Sequence, residues 1–242
     1  MDLTSYLQIK EKQEKEKPQY RTLCATCTQP NFSCYCHLIQ PFESLINFVI
    51  LIHPIEAKRR IATGRMSYLS IKDSHLIKGQ DYTENNKVND LIADKEYHSM
   101  ILYPGRNSQN LSTMTMQQRQ QISPSGKKLR LFVIDGTWAT ARKMVRQSTN
   151  ISALPRICFS PTTPSSFRVR KQPHAACYST IEAIHHTIEL MKPAQSVTDT
   201  RPHDRLLKVF DYMVEKQLDF IRSSNLNLRE STYRREGQKK IA

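Results

Sequence analysis

The sequence has few acidic residues relative to its basic ones, and it has no long apolar run. Its 242 residues include 22 Asp and Glu against 36 Lys and Arg, a formal net charge of +14. This excess predicts a polyanionic partner first and an anionic membrane surface second, and a basic protein that is merely soluble is the alternative. No apolar run approaches the roughly 20 residues that span a bilayer, so we expect no membrane segment.

The N-terminal region lacks the apolar core of a secretory signal, because residues 1–20 are polar and rich in Lys and Glu. We therefore expect a cytoplasmic protein whose cysteines are reduced. The length suits one large α/β domain with a small appendage. The predicted organisation is a polar lead over 1–20, a Cys-rich element over 21–42, the main domain over 43–225 and a basic tail over 226–242.

Four of the six cysteines are close together near the N-terminus, and their spacing predicts a zinc site. Cys24 and Cys27 are followed by Cys34 and Cys36, and four thiols within 13 residues can surround a tetrahedral zinc ion. His37 could replace one thiol, and disulfides or free thiols are the alternatives. Such a segment has little core of its own, so metal binding and folding would be coupled.

Short apolar runs alternate with helical patterns, and this order predicts a mostly parallel sheet covered by helices on both faces. The predicted strands are 47–53, 74–78, 100–103, 131–134 and 156–160. The predicted helices are 56–70, 89–94, 137–147, 181–191 and 204–222. Residues 106–128 are expected to form a polar loop. The carboxyl ends of parallel strands meet at one edge of a sheet, where α/β proteins bind ligands.

An apolar run that ends abruptly at Asp135 is the most informative segment of the chain. The next residues supply a flexible unit, a hydroxyl and the single tryptophan, and they are Gly136, Thr137 and Trp138. A carboxylate between a buried strand and a helix N-terminus is common at ligand sites. The alternatives are that Asp135 caps the helix or pairs with Arg142, and that Trp138 packs in the core.

Polar residues also follow the other strands. The loop after the third predicted strand contains Tyr103, Pro104 and Gly105. His53 could bind phosphate or transfer a proton, and a structural group is the alternative. Glu56 either caps the next helix or pairs with Arg60 one turn further along. Ser179 and Glu182 form a capping box at the start of a later helix.

Cations are frequent near these strand ends and suit phosphate groups. Alternation would place Arg168 and Arg170 on one side of an extended, proline-rich segment, where two guanidinium groups could hold a carboxylate or a phosphate. A solvated loop is the alternative. The cations expected to contact substrate or RNA are Arg59, Arg60, Arg65, Arg142, Arg146, Arg168, Arg170 and Lys171.

Together these residues resemble the DTW-domain family, which is named for an Asp-x-Thr-Trp signature. Here the signature is Asp135-Gly136-Thr137-Trp138. The other matching elements are the early Cys cluster, His53-Pro54-x-Glu56 with Arg60 and Thr63-Gly64, Tyr103-Pro104-Gly105, Arg168-x-Arg170-Lys171-x-Pro173, and Ser179-Thr180-x-Glu182-Ala183. The resemblance spans residues 21–215, and the ordered set of six elements is far more specific than the signature alone.

The resemblance implies a tRNA-uridine aminocarboxypropyltransferase, which moves the 3-amino-3-carboxypropyl group of S-adenosylmethionine to N3 of a tRNA uridine and releases 5′-methylthioadenosine. It also implies a SPOUT-like fold with a C-terminal knot. Asp135 would remove or orient the N3 proton, and His53 and Glu56 would join the cations at the substrate. The residues that would hold the donor are Tyr103, Pro104, Gly105, Asp135, Gly136, Thr137, Trp138, Ser179 and Thr180. A non-catalytic zinc-containing RNA-binding module and a SPOUT-type RNA methyltransferase are the rival interpretations.

Overall fold

The computed structural model describes residues 22–170, 177–192 and 201–223, which form an α/β fold around one sheet. The strands are β1 (Ile46–Ile52), β2 (His75–Lys78), β3 (Tyr97–Leu102), β4 (Gln109–Asn110), β5 (Lys128–Asp135) and β6 (Arg156–Cys158). Neighbouring strands are parallel, in the order β2-β1-β5-β3-β6-β4. The parallel sheet predicted from the sequence is confirmed.

Helices connect these strands. They are α1 (Pro54–Ala57), α2 (Thr63–Ser70), α3 (Asn86–Ala93), α4 (Met116–Gln120), α5 (Trp138–Gln147), α6 (Thr149–Ser152), α7 (Thr180–Met191) and α8 (Asp204–Ser223). Two short 3-10 turns, at Asn31–Ser33 and Cys36–Leu38, shape the Cys-rich element. The capping box expected at the start of α7 is present.

Strand β5 lies between β1 and β3, and its side chains alternate between two cores. Leu131 packs in the core that includes Ile181 of α7 and Phe210 of α8. Phe132 packs in the other core with Val145 of α5. Each fully buried aliphatic or aromatic side chain stabilises the fold by about 1.5–3 kcal/mol. Helices therefore cover both faces of the sheet, as predicted.

The helix expected over 56–70 is interrupted. Helix α1 ends at Ala57, and a turn separates it from α2, which begins at Thr63. The first four N–H groups of a helix have no partner within that helix. Gly64 is the second residue of α2, so its N–H is free to donate to Asp135 at 3.2 Å. In an uninterrupted helix this N–H would bond a carbonyl of the same helix. The break between α1 and α2 therefore makes the N–H available to the carboxylate at the end of β5.

The polar loop expected over 106–128 contains β4 and α4. Helix α4 begins with a capping box in which the Thr115 hydroxyl and the Gln118 side chain bond each other's backbone N–H groups. Thr-x-x-Gln is a sequence signal for a helix start, so this prediction was wrong for a local reason.

No helix of the described ranges is both long and apolar enough to cross a membrane. The polar lead and the basic tail lie outside the described residues.

Candidate functional site

A pocket of about 740 Å³ opens where β3 and β5 end, and this volume is ordinary for a small-molecule site. Aromatic side chains form much of its wall, namely Tyr103, Trp138, Phe159, Phe167 and Tyr178. Polar groups come from Thr63, Thr137, Arg170, Ser179 and Thr180. Pro104 and Gly136 also line the pocket, whereas the predicted donor residue Gly105 does not. The edge of the sheet therefore combines large ring faces with a few hydrogen-bonding groups.

Trp138 lies at this pocket and not in the core. It is the first residue of α5, lines the pocket and is 39% exposed. Ala141 and Val145, further along α5, are buried. The apolar face of α5 therefore packs in the core but does not include the tryptophan. Thr137 caps α5 by accepting a hydrogen bond from Thr140 N at 3.1 Å. This cap fixes the turn that presents Trp138.

Asp135 ends β5 with its side chain buried, 1% exposed. Its Oδ1 accepts a hydrogen bond from Thr180 Oγ1 at 2.6 Å, and its Oδ2 accepts one from Gly64 N at 3.2 Å. Thr180 lines the pocket, whereas Asp135 lies behind the wall. The cap of α5 is Thr137, and among the described contacts Asp135 makes no ion pair with Arg142. The carboxylate therefore reaches the pocket through the Thr180 hydroxyl.

Gly64 is required by this close approach. A Cβ at position 64 would lie 2.5 Å from Asp135 Oδ2 and 2.7 Å from its carboxyl carbon. These distances are well below van der Waals contact, so any larger residue would displace the carboxylate. A glycine inside a helix costs about 1 kcal/mol relative to alanine, and here its function is contact with the strand end.

Burial raises the pKa of the Asp135 carboxyl, and the nearby charge of Glu56 adds to the increase. The hydrogen bond from Thr180 and the charge of Arg170 act in the opposite direction. A raised pKa brings the carboxylate closer to the proton affinity that suits a general base near neutral pH.

Glu56 is also buried, 1% exposed, and two arginines neutralise it. Its Oε1 accepts a hydrogen bond from Arg170 Nη2 at 3.0 Å, and Arg59 Nη1 forms an ion pair with the same oxygen at 3.1 Å. The expected partner, Arg60, was wrong because α1 ends at Ala57 and Arg60 is no longer one helical turn away. Arg170 also lines the pocket, so this ion pair joins α1 to the pocket wall.

The side-by-side arrangement expected for Arg168 and Arg170 is wrong. The backbone forms a turn at 168–170 instead of an extended segment. Arg168 pairs with Glu215 of α8, whereas Arg170 pairs with Glu56. A turn sends the two guanidinium groups to different partners, which alternation along an extended segment cannot anticipate. Lys171 lies outside the described residues.

The remaining predicted site residues divide into exposed and internal groups. Arg142 and Arg146 are exposed on α5 beside Trp138. Arg65 instead donates hydrogen bonds to Thr28 Oγ1 and to Ala57 O, so it joins α2 to the Cys-rich element and to the end of α1. His53 is buried, and its Nδ1 accepts a hydrogen bond from Ile55 N at 3.2 Å. Arg60 is exposed.

Sequence reasoning missed two residues that line the pocket and one that lies beside its wall. Phe159 and Tyr178 face the pocket, and their rings lie 5.7 Å apart. Arg156 lies over the Tyr103 ring at 5.8 Å and lies so near Gly105 that a Cβ there would be 2.8 Å from its Nη1. Arg156 begins β6 and was readable only as part of a strand, because nothing local marks its approach to the loop after β3.

The four cysteines of the early cluster converge as predicted. Cys24 Sγ lies 3.7 Å from Cys36 Sγ, and Cys27 Sγ lies 3.6 Å from Cys34 Sγ. All four sulfur atoms lie within 4.8 Å of one another. A disulfide requires about 2.05 Å. Zn–S bonds of about 2.3 Å give tetrahedral edges of about 3.8 Å, so the thiols fit zinc.

The Cys-rich element is joined to the main fold through the core and through the α1–α2 region. Cys27 is fully buried in the core, and Arg65 and Arg60 of the α1–α2 region bond Thr28 and Gln29 of the Cys-rich element. His37 contacts the Tyr212 ring instead of joining the sulfurs, with ring centres 5.2 Å apart. Backbone hydrogen bonds from Cys27 and Thr26 lower the pKa of the Cys24 thiol to about 6, whereas burial raises the pKa of the Cys27 and Cys36 thiols.

Sequence comparison identifies relatives of this chain among known proteins. The chain is similar to tRNA-uridine aminocarboxypropyltransferase 2 of Drosophila melanogaster, 28% identical over 80% of this chain and 76% of that protein. It is 23% identical to the Mus musculus protein of the same name, over 76% of this chain and 61% of that one. An Arabidopsis thaliana protein, tRNA-uridine aminocarboxypropyltransferase A, is 22% identical over 86% of both chains. No solved structure matches significantly.

A family model describes the same region that carries the pocket and the cysteines. The match covers residues 21–218, which includes the Cys-rich element, all six strands and most of α8. On this evidence, the chain belongs to the DTW domain family.

Proposed function

We propose that this protein is a tRNA-uridine aminocarboxypropyltransferase that uses S-adenosylmethionine as donor and modifies N3 of a uridine. The observation that carries the proposal is the aromatic pocket at the ends of β3 and β5, where Trp138 and Thr180 of the family motifs meet. The names of the similar proteins support the same reaction class. The SPOUT-like knot remains a prediction of the resemblance.

The pocket suits the donor molecule in size and in chemistry. Its volume of about 740 Å³ can hold a nucleoside with an amino acid side arm. Aromatic faces attract cations, and the sulfonium centre of S-adenosylmethionine is a cation that avoids strong hydration. We assign this role to Trp138, Tyr103 and Tyr178. Arg170, at the wall, would bind the amino acid carboxylate.

The reaction is a nucleophilic displacement. The N3 lone pair forms a bond to the γ-carbon of the donor's amino acid arm, and the bond from that carbon to sulfur breaks. The electron pair stays on sulfur, which leaves as the neutral thioether of methylthioadenosine, and N3 loses its proton. The donor supplies an activated carbon, so the protein must position both reactants and accept the proton.

We propose that Thr180 and Asp135 receive this proton together. The Thr180 hydroxyl donates to Asp135 Oδ1 at 2.6 Å, which leaves its oxygen lone pairs directed elsewhere. Those lone pairs can accept N3–H of a uracil in the pocket, and the Asp135 carboxylate, with its raised pKa, takes the hydroxyl proton. The predicted base thus acts through a neighbour that touches the substrate.

Exposed cations on α5 would bind the RNA backbone. Arg142, Lys143 and Arg146 are exposed on the helix whose first residue is Trp138. The target uridine would leave its stack to enter the pocket, as bases do in other enzymes that modify them. The phosphates beside the displaced nucleotide would then face these side chains.

Analysis of both products tests the proposal. Purified protein, unmodified tRNA and S-adenosylmethionine are incubated, and the released nucleoside and the digested tRNA are examined by mass spectrometry. Methylthioadenosine with a uridine heavier by one aminocarboxypropyl group supports the proposal. Adenosylhomocysteine with methylated uridine would instead show a methyltransferase, and tRNA binding with neither product would show an RNA-binding module.

A further inference from the structure

We propose that His185, His203 and Asp204 bind a divalent transition-metal ion, most simply zinc, at a second site separate from the four cysteines. His185 lies on α7, His203 immediately precedes α8, and Asp204 is its first residue. The three ligand atoms, two imidazole nitrogens and one carboxylate oxygen, lie within 4.8 Å of one another. Two histidines and a carboxylate form a common zinc ligand set.

Two of the distances between ligand atoms lie on either side of the spacing that a bound metal would impose. His185 Nε2 lies 2.8 Å from Asp204 Oδ1, and His203 Nε2 lies 3.9 Å from the same oxygen. Tetrahedral ligands at Zn–N and Zn–O distances of about 2.0 Å are separated by about 3.3 Å. Shifts of about half an ångström would therefore convert the contacts into coordination.

Glu189 supplies a fourth group beside this cluster. Its Oε2 lies 2.6 Å from His203 Nε2, so a small rotation would bring the carboxylate to a metal held by the histidines. The side chain is about one third exposed, and it lies on α7 one turn beyond His185. We assign Glu189 the role of the fourth ligand.

Arg201 holds the outer oxygens of both carboxylates. Its Nε donates to Asp204 Oδ2 at 2.8 Å, and its Nη1 donates to Glu189 Oε1 at 2.7 Å. Its Nη2 also lies 3.2 Å from Asp204 Oδ1, which is the weakest of the three contacts. The inner oxygens consequently face the histidines. Groups that orient ligands in this way are typical of metal sites.

The net charge of the cluster, like its geometry, suits a cation. Two carboxylates face one guanidinium group and two imidazoles, so one negative charge is left uncompensated when the histidines are neutral.

A metal here would stabilise the candidate active site from a distance. Helix α7 begins at Thr180, which contacts Asp135 and lines the pocket, and His185 is on the same helix. The ion would join α7 to the first residue of α8 and fix its direction. The site is thus structural in its expected effect, and its existence does not depend on the proposed transferase reaction.

Metal counting on the full chain tests the site. Wild type and the variants His203→Asn and Asp204→Asn are equilibrated with zinc, desalted and analysed by elemental mass spectrometry. Each variant is expected to carry one zinc ion fewer than wild type, and Glu189→Gln to lose the same ion at lower chelator concentration. His98→Asn is the matched control, because this histidine lies on β3, belongs to neither cluster and should keep the wild-type count.

Cobalt titration of wild type provides a second measurement that does not depend on the folding of variants. Cobalt bound to the cysteines gives a thiolate charge-transfer band, whereas cobalt bound to nitrogen and oxygen gives only ligand-field bands. We expect an equivalent of the second kind. Wild type that takes up only thiolate-bound cobalt, or variants that keep the full zinc count, would overturn the proposal and leave an ion-pair network.

Discussion

The Cys-rich element and the strand-end pocket are assembled over very different distances along the chain. The four sulfurs come from 13 consecutive residues, whereas the residues lining the pocket range from Thr63 to Ala183. Asp135 alone bonds partners that are 71 and 45 residues away. A local ligand set can be recognised from spacing, but a pocket of distant residues depends on the whole sheet. Experiments that separate the two regions therefore show how far one supports the other.

The largest expected effect is loss of the cysteine cluster. Changing both Cys24 and Cys34 to Ser should abolish zinc binding there and strongly destabilise the fold, because structural zinc contributes about 10–16 kcal/mol in small zinc domains. Zinc content and thermal unfolding are measured together. Cys158→Ser is the control, since that thiol lies outside the cluster. Unchanged stability in the double variant would mean that the pocket region folds without the Cys-rich element.

The next largest effect is expected at Asp135, for activity and not for global folding. Asp135→Asn should lower the rate of tRNA modification about 10²–10⁴-fold, because an amide cannot take the proton from Thr180. Single-turnover rates with saturating donor measure this. Since the carboxylate is the active form and burial raises its pKa, the wild-type rate should rise with pH through that elevated value.

Thr180 separates the proposed relay from direct action of Asp135. Thr180→Val removes the hydroxyl that contacts Asp135 and should lower the rate nearly as much as Asp135→Asn, whereas Thr180→Ser should retain most of it. A fast Thr180→Val enzyme would show that the carboxylate acts by another route.

Gly64 tests how tightly the site depends on backbone approach. Gly64→Ala would place a Cβ 2.5 Å from Asp135 Oδ2, so we expect a loss of about 1–3 kcal/mol in unfolding free energy together with lower activity. Chemical denaturation measures the stability. Ala93→Ser, at the end of α3 and away from the strand ends, is a helix control that should leave both quantities unchanged.

Trp138 should matter to ligand affinity more than to folding. Because the side chain is 39% exposed and lines the pocket, Trp138→Ala should weaken donor binding about tenfold while the melting temperature changes little. Calorimetric titration of S-adenosylmethionine measures this, and Trp138→Phe should keep most of the affinity. A large loss of stability without a change in affinity would restore the core interpretation.

The smallest effect per residue is expected on the exposed face of α5. Arg142→Gln and Arg146→Gln should each reduce the salt dependence of tRNA binding by about one counterion, without changing stability. Binding is measured over a series of salt concentrations. Lys72→Gln is the control, because that exposed lysine pairs with Glu43 on another part of the surface. Equal slopes for all three variants would place the RNA elsewhere.

Features that depend on neighbouring residues could be predicted from the sequence, whereas features that depend on tertiary contacts could not. The strand at β5, the cap at Thr137 and the capping box of α7 follow from neighbouring residues. Periodicity could not predict the break between α1 and α2, because its cause is a carboxylate 71 residues further along. The predicted side-by-side arrangement of Arg168 and Arg170 was wrong for a similar reason, since their ion-pair partners lie on α8 and α1.

The sequence by itself determined the parallel α/β class and the clustering of four cysteines, because each is encoded by periodicity or spacing. It also placed Asp135 and Trp138 together at a strand end. Only the tertiary structure decided where the side chains of these two residues lie. Only two residues separate them, but the buried Asp135 side chain bonds Thr180 and Gly64, whereas the Trp138 side chain lines the pocket. The physical reason is that burial and contact depend on elements brought together by the fold, which neighbouring residues do not specify.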